Sequence, residues 1–331
     1  MRWIFRLIWM GVLASIALGG WLAHVSGQAI HLEQPVQDLT LKHGTSLRGV
    51  AQQLVREGVL VEPWSFILLV RLQGKAGEIQ AGNYQLTQGM TVSDLFQMMS
   101  RGNTVQRSIT FIEGWSFRQM RAALNDHPDI RHLSMHLTDA EILVQIGAQE
   151  PHPEGLFFPD SYYFGSGMSD LEILQRAYHT MRKKLDIAWR TRESGLPYQS
   201  PYEALIMASI VEKETGRGDE RPLIARVFLN RMRLGMRLQT DPTVIYGMGE
   251  RFDGNLRRRD LQEDTPYNTY TRAGLPPTPI AMPGLAAIEA VLHPAQGDAL
   301  YFVGKGDGSH AFSKTLSEHN RAVSRFQLRG Q

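Results

Sequence analysis

The sequence predicts an α+β protein with an N-terminal transmembrane helix, a small α+β module, and a larger, mainly helical domain with a β-hairpin near the C-terminus. Three observations predict this architecture. Residues 7–23 carry no charged side chain, a stretch at the short end of the ~17–25 apolar residues that cross a bilayer. A glycine two residues ahead of a Ser or Thr, followed by a helical pattern, recurs three times between residues 44 and 117. Beyond residue 109 longer helical patterns alternate with loops rich in Gly, Pro and aromatic side chains. The expected boundaries are an anchor at 1–25, a linker at 26–37, the module at 38–105 and the large domain at 106–331.

Arg2 and Arg6 precede the apolar run, and His24, His31 and Glu33 follow it, which predicts a cytoplasmic N-terminus and an external main chain. Trp3, Trp9 and Trp21 suit the two interfaces. The rival reading is a cleaved signal peptide ending near Val25-Ser-Gly-Gln, a poor cleavage site. After the linker, Gly44-Thr-Ser-Leu47, Gly89-Met-Thr-Val92 and Gly114-Trp-Ser-Phe117 each place a hydroxyl residue as an N-cap. The first helix presents Leu47, Val50, Ala51 and Leu54 on one face, and the second Val92, Leu95, Phe96 and Met99. Residues 81–86 read as a strand between them. The arrangement resembles LysM-type glycan-binding modules, and generic helix capping accounts for the same pattern.

Downstream, residues 154–163 read as an aromatic loop carrying Asp160, followed by a helix over 169–193 and another from Asp219 to Gly235 with Ile224, Val227 and Phe228 inward. Residues 237–247, 265–270 and 274–277 are polar, irregular and rich in turn residues, a texture more often functional than decorative. Residues 299–312 alternate around a Gly-Asp-Gly turn as a hairpin, and a closing helix begins near Leu316.

Composition narrows the function classes. A net charge of +2 over 331 residues, with the basic residues scattered, predicts no nucleic-acid partner. With no cysteine, disulfides, zinc-thiolate sites and thiol nucleophiles are excluded. His132 and His136 have no third ligand nearby in sequence, no phosphate or dinucleotide fingerprint occurs, and neither metal nor cofactor is expected.

The chemistry centres on one acid. In residues 200–216, Ser200 and Glu203 predict a capping box, Pro201 suits the first helical position, and Gly216 suits the stop. In that register Met207, Ile210, Val211 and Glu214 share a face while Glu212 points roughly the other way. Partial burial and the negative helix end both raise a carboxylic pKa, which suits a general acid for glycosidic cleavage. The alternative is a solvated Glu214 paired with Lys213 or Arg217. A two-carboxylate glycosidase needs a partner, for which Glu212, Asp160, Asp219, Asp241 and Asp260 are the choices. Asp241 reads equally as the cap of a helix starting at Pro242.

Ala208-Ser-Ile-Val-Glu-Lys-Glu-Thr215, Arg237-Leu-Gln-Thr-Asp-Pro-Thr-Val-Ile-Tyr-Gly247, Tyr267-Asn-Thr-Tyr270, Gly274-Leu-Pro-Pro277 and His319-Asn320 closely resemble the endolytic murein transglycosylase (MltG, YceG-like) family. The resemblance runs over essentially the whole chain. It implies an inner-membrane lyase, its catalytic domain periplasmic, that cuts between N-acetylmuramic acid and N-acetylglucosamine within peptidoglycan strands and leaves 1,6-anhydro ends. It implies roles in wall assembly and strand termination, peptidoglycan synthases as partners, and Glu214 as the catalytic acid. Gln239, Thr240, Asp241, Tyr246, Asn268 and Tyr270 are the expected cleft residues. A glycan-binding scaffold and a hydrolytic muramidase remain the alternatives.

Overall fold

The computed structural model describes residues 2–102, 107–165 and 167–327. The expected boundary between 105 and 106 lies outside the described residues. The chain is α+β and divides into two compact units, Met1–Arg107 with Tyr163–Gly167, and Ser108–Tyr162 with Met168–Gln331.

The first unit begins with α1 (Arg2–Gly27), within which Ile8–Gly27 is long and apolar enough to cross a membrane. Then follow β1 (Val36–Leu41), α2 (Leu47–Arg56), α3 (Trp64–Leu72), β2 (Gly82–Thr87) and α4 (Val92–Arg101). β1 and β2 pair antiparallel from Val36↔Thr87 to Leu41↔Gly82. Alternation turns Leu39, Leu41, Tyr84 and Leu86 into a core shared with Val50, Ala51 and Leu54 of α2 and Val92, Leu95, Phe96 and Met99 of α4. Ser46 and Thr91 cap α2 and α4, accepting from the amides of Gly49 and Asp94. Gly44 and Gly89 take left-handed φ values of 80° and 94° just ahead of those caps, which explains their recurrence.

The linker expected at 26–37 overlaps α1 at one end and β1 at the other. α1 runs to Gly27, Ile30 joins the core while its amide donates to Met90 O at 2.8 Å, and β1 starts at Val36. Helix α3, absent from the sequence reading, fills the gap before β2 and buries Phe66, Leu69 and Val70. It escaped notice because its apolar residues run almost continuously and so show no 3.6-residue period.

The second unit contains most of β3 (Arg107–Thr110), then α5 (Phe117–Asp126), α6 (Asp139–Ile146), the first half of β4 (Ser161–Phe164), α7 (Asp170–Arg190), α8 (Pro201–Glu214), α9 (Arg221–Arg233), α10 (Asp241–Met248), α11 (Arg258–Gln262), α12 (Leu285–Leu292), β5 (Tyr301–Gly304), β6 (His310–Ser313) and α13 (Leu316–Phe326). Residues 161–163, expected within a loop, belong to β4. Ser116 caps α5, the third of the recurring caps. β5 pairs with β6 antiparallel from Tyr301↔Ser313 to Gly304↔His310. α8, α9 and α12 pack on one another. Buried Arg231 ties α9 to two loops, its Nε donating to Leu300 O at 2.7 Å and its guanidinium to Leu238 O at 2.8 Å.

Candidate active site

The register of α8 decides where its acids point. Ser200 accepts the Glu203 amide at 3.3 Å and Pro201 opens the helix. Glu203 itself reaches the amide of Gln199 at 2.7 Å, so the expected box closes one residue upstream. The helix stops because Thr215 turns to extended backbone (φ −147°, ψ 135°), not because Gly216 becomes left-handed. Met207, Ile210 and Val211 are buried as their spacing predicts, but so is every residue from Ala204 to Val211. α8 is therefore a core helix that carries its last turn to the edge of the packing. Buried Ser209 fixes it in place, donating to Ile206 O at 2.7 Å and accepting the Ile280 amide at 2.9 Å.

Glu214, in that last turn, is partly buried and accepts a hydrogen bond from the Thr240 hydroxyl. Burial pushes its carboxyl up to about 7, Asp241 pushes the same way, and the Thr240 bond and His310 oppose them. The salt-bridged alternative is corrected: Lys213 Nζ donates to Gly114 O at 3.2 Å, and Arg217 pairs with Asp219 at 2.7 Å. Glu212 is structural, its side chain 5% exposed, held by Arg221 at 3.0 Å and by the Gly284 amide at 3.0 Å. Burial raises its carboxyl too, and the Gly284 and Arg221 bonds offset part of that.

The segment before α10 faces Glu214. Thr240 is the N-cap residue of α10 but makes no side-chain cap, because its hydroxyl is committed to Glu214. The Thr240 amide donates to Thr269 Oγ1 at 3.1 Å, and the Thr243 and Thr269 hydroxyls lie 2.8 Å apart, so three threonines lock the turn. Gln239 takes φ +52°, a value that costs a non-glycine residue energy, and its amide is held by Thr269 O at 3.1 Å. Asp241 sits in the first turn of α10, not at its cap, and accepts the Tyr270 hydroxyl at 2.5 Å.

Asn268, expected in the cleft, braces its own loop. It is fully buried, its amide nitrogen donates to the carbonyls of Asp260, Leu261 and Glu263, and its oxygen accepts the Tyr270 amide at 2.8 Å. Tyr246 points elsewhere: its hydroxyl donates to Glu154 Oε2 at 3.1 Å, and its ring meets Tyr267 edge-on at 4.9 Å.

Glu154 is the functional-looking residue that sequence reasoning missed. It lies at the start of the aromatic loop, where Asp160 drew attention, yet Asp160 is exposed and Glu154 is buried. Its carboxyl also accepts the Phe117 amide at 3.0 Å, and burial, resisted by those bonds, pushes it up to about 7. Glu154, Tyr246, Lys213, Arg121 and Pro242 line a cavity of about 1310 Å³, on which Glu214 itself does not open. No local spacing in the sequence marks Glu154, because its partners lie 37 and 92 residues away. Of the other acids weighed, Asp219 pairs with Arg217, and Asp260 accepts the Arg257 amide at 2.8 Å to start α11.

The YceG-like family profile matches residues 39–325. A Bacillus subtilis protein named endolytic murein transglycosylase is 34% identical over 308 residues, which cover 87% of this chain and 84% of that protein. A Streptococcus pneumoniae protein of the same name is 25% identical over 317 residues, covering 86% of this chain and 57% of its own length. The crystal structure of a yceG-like protein from Listeria monocytogenes superposes with a TM-score of 0.53 at 29% identity, over 86% of this chain and 98% of that one. With the family profile spanning residues 39–325 and a relative 34% identical over 87% of its length, the chain belongs to the YceG-like family.

Proposed function

We propose that the chain is a membrane-anchored lytic transglycosylase that cuts within peptidoglycan strands, with Glu214 as its single acid and base. The observation that carries this reading is a carboxyl raised to about 7 at the end of a rigid core helix, with Thr240 as its partner and no cation bound to it among the described residues. Such a group holds a proton near neutrality and can give it to the bridging oxygen of the bond between N-acetylmuramic acid and N-acetylglucosamine. The leaving sugar departs as the alcohol. Glu214, now a carboxylate, takes the proton of the muramic acid C6 hydroxyl, and that oxygen closes onto C1 as the 1,6-anhydro ring. The acid ends reprotonated and water takes no part, so one carboxyl serves both steps. Relatives named endolytic murein transglycosylase support this reading.

Thr240 positions Glu214, and Gln239, Asp241 and Tyr270 form the adjoining wall. α1 anchors the chain in the inner membrane, N-terminus inside, and the second unit works on the periplasmic side. Residues 38–105 act as a LysM-like glycan-holding module, and residues 106–331 as the catalytic domain. Cutting nascent strands would end their elongation and place the enzyme beside peptidoglycan synthases. Mass analysis of the products of the full chain on peptidoglycan tests the chemistry: anhydro-muramic ends are expected. Reducing muramic ends would make it a muramidase, and uncut strands a scaffold.

A further inference from the structure

Helix α3 breaks the rule by which surface helices are built. Only Ser65 and Arg71 in it are polar. Phe66, Leu69 and Val70 face the core, and the opposite face offers Trp64, Leu68 and Leu72 at i, i+4 and i+8, with Val61 just ahead. Val61, Trp64 and Leu72 are 92%, 57% and 48% exposed. A helix that is apolar all round belongs in a core or against lipid.

Its position says which. The Trp64 ring stacks on Trp21 of α1, centroids 5.4 Å apart and planes within 9°. Trp21 lies six residues before Gly27, the end of the stretch able to cross a membrane, so about 9 Å of helix separates them. Interfacial helices sink about 5–10 Å into the headgroup boundary. No slack lies between the span and the module, since Val25 is buried and Leu22 packs on the same core as Phe66. The module therefore cannot lift off the bilayer that α1 crosses.

We propose that the outer face of α3 is a lipid-binding surface, Val61, Trp64, Leu68 and Leu72 lying in the outer headgroup layer beside α1; this rests on the anchored reading given above. The stacked tryptophans form an aromatic belt at the interface. Exposed Arg71 in its last turn suits anionic headgroups, and Lys75 lies three residues past its end, 3.7 Å from Glu78. Glu62, the acid nearest the patch in sequence, spends its carboxylate on the Trp64 and Ser65 amides at 2.8 and 3.2 Å.

The chain has no cysteine, so single introduced thiols report one position each. Leu68→Cys, Leu72→Cys, Leu13→Cys and Val144→Cys full chains, their folding checked by circular dichroism, are labelled with a nitrobenzoxadiazole dye and reconstituted in phosphatidylethanolamine–phosphatidylglycerol vesicles. At 68 and 72 we expect emission blue-shifted relative to 144 and quenched by lipids carrying a nitroxide near the headgroup. Water-like, unquenched emission at both positions with quenching at 13 overturns the inference and leaves the anchor standing. No quenching at 13 overturns the anchor and the inference with it. A blue shift at 68 and 72 without lipid quenching puts a second copy of the chain on this face instead of lipid.

Discussion

At the scale of single residues, the two acids of the Glu-Lys-Glu turn separate chemistry from architecture. Glu214→Gln keeps volume and helix but removes the transferable proton. Its melting temperature should stay near the parent's while anhydro products fall by ~10³-fold or more, since one group serves both proton transfers. Glu212→Gln should fail differently, losing about 3 kcal/mol of stability as Arg221 is left partly uncompensated; Glu113, 3.9 Å from Arg221, keeps the loss at the low end for a buried pair. Thermal melts beside product assays distinguish the two, and a folded, inactive Glu212→Gln with an active Glu214→Gln would reverse the assignment. Thr240 favours the ionised form of Glu214 by donating to it. Activity of the parent should fall as pH rises through about 7, and Thr240→Val should move that alkaline limb to higher pH. A limb left in place would show that Thr240 does not tune the acid.

At the scale of elements, local chemistry was readable wherever partners lie within one turn. Ser46, Thr91 and Ser116 all cap the helices their Gly-x-Ser/Thr settings predict, and all four apolar residues expected inward on α4 are buried. Thr91→Ala should cost about 1 kcal/mol in chemical denaturation without touching the site. Elements whose signal is a bare apolar run, such as α3, gave no period to read, whereas the Asp-Pro start of short α10 was one of two readings the sequence offered for Asp241. The polar segment at 265–270 looked like binding surface because its residues are polar. In the fold Asn268 spends that polarity on its own loop. Asn268→Ala should therefore lower stability by about 2–4 kcal/mol through orphaned carbonyls and a displaced Tyr270, with activity lost in step with the folded fraction. Loss of binding in a variant of unchanged stability would return Asn268 to the cleft.

At the scale of the whole molecule, two carboxyls, Glu154 and Glu214, are held near 7 against an ordinary 4.5. Folding favours their protonated forms, so their contribution to stability is fully present below about 4.5 and is lost as pH rises through about 7. Melting temperature should decline from pH 5 to pH 8 more steeply in the parent than in a Glu154→Gln, Glu214→Gln double variant; equal slopes would mean that neither group is perturbed. Topology has its own check. A reporter fused after Gln331 should be periplasmic and the N-terminus intact, and a soluble form beginning near Gln28 would instead mean cleavage within α1.

The sequence by itself determined what depends on neighbours along the chain: the apolar N-terminal run, the capped helices, the α+β class and the start of α8 at Ser200 and Pro201. These follow from periods of two and 3.6 residues and from caps that act over three or four. Only the tertiary structure decided what the acids do. Thr240 meets Glu214 across 26 residues, Gly284 meets Glu212 across 72, and Tyr246 meets Glu154 across 92. A carboxyl's pKa is set by burial and by the donors around it, and for these three acids both come from distant parts of the chain.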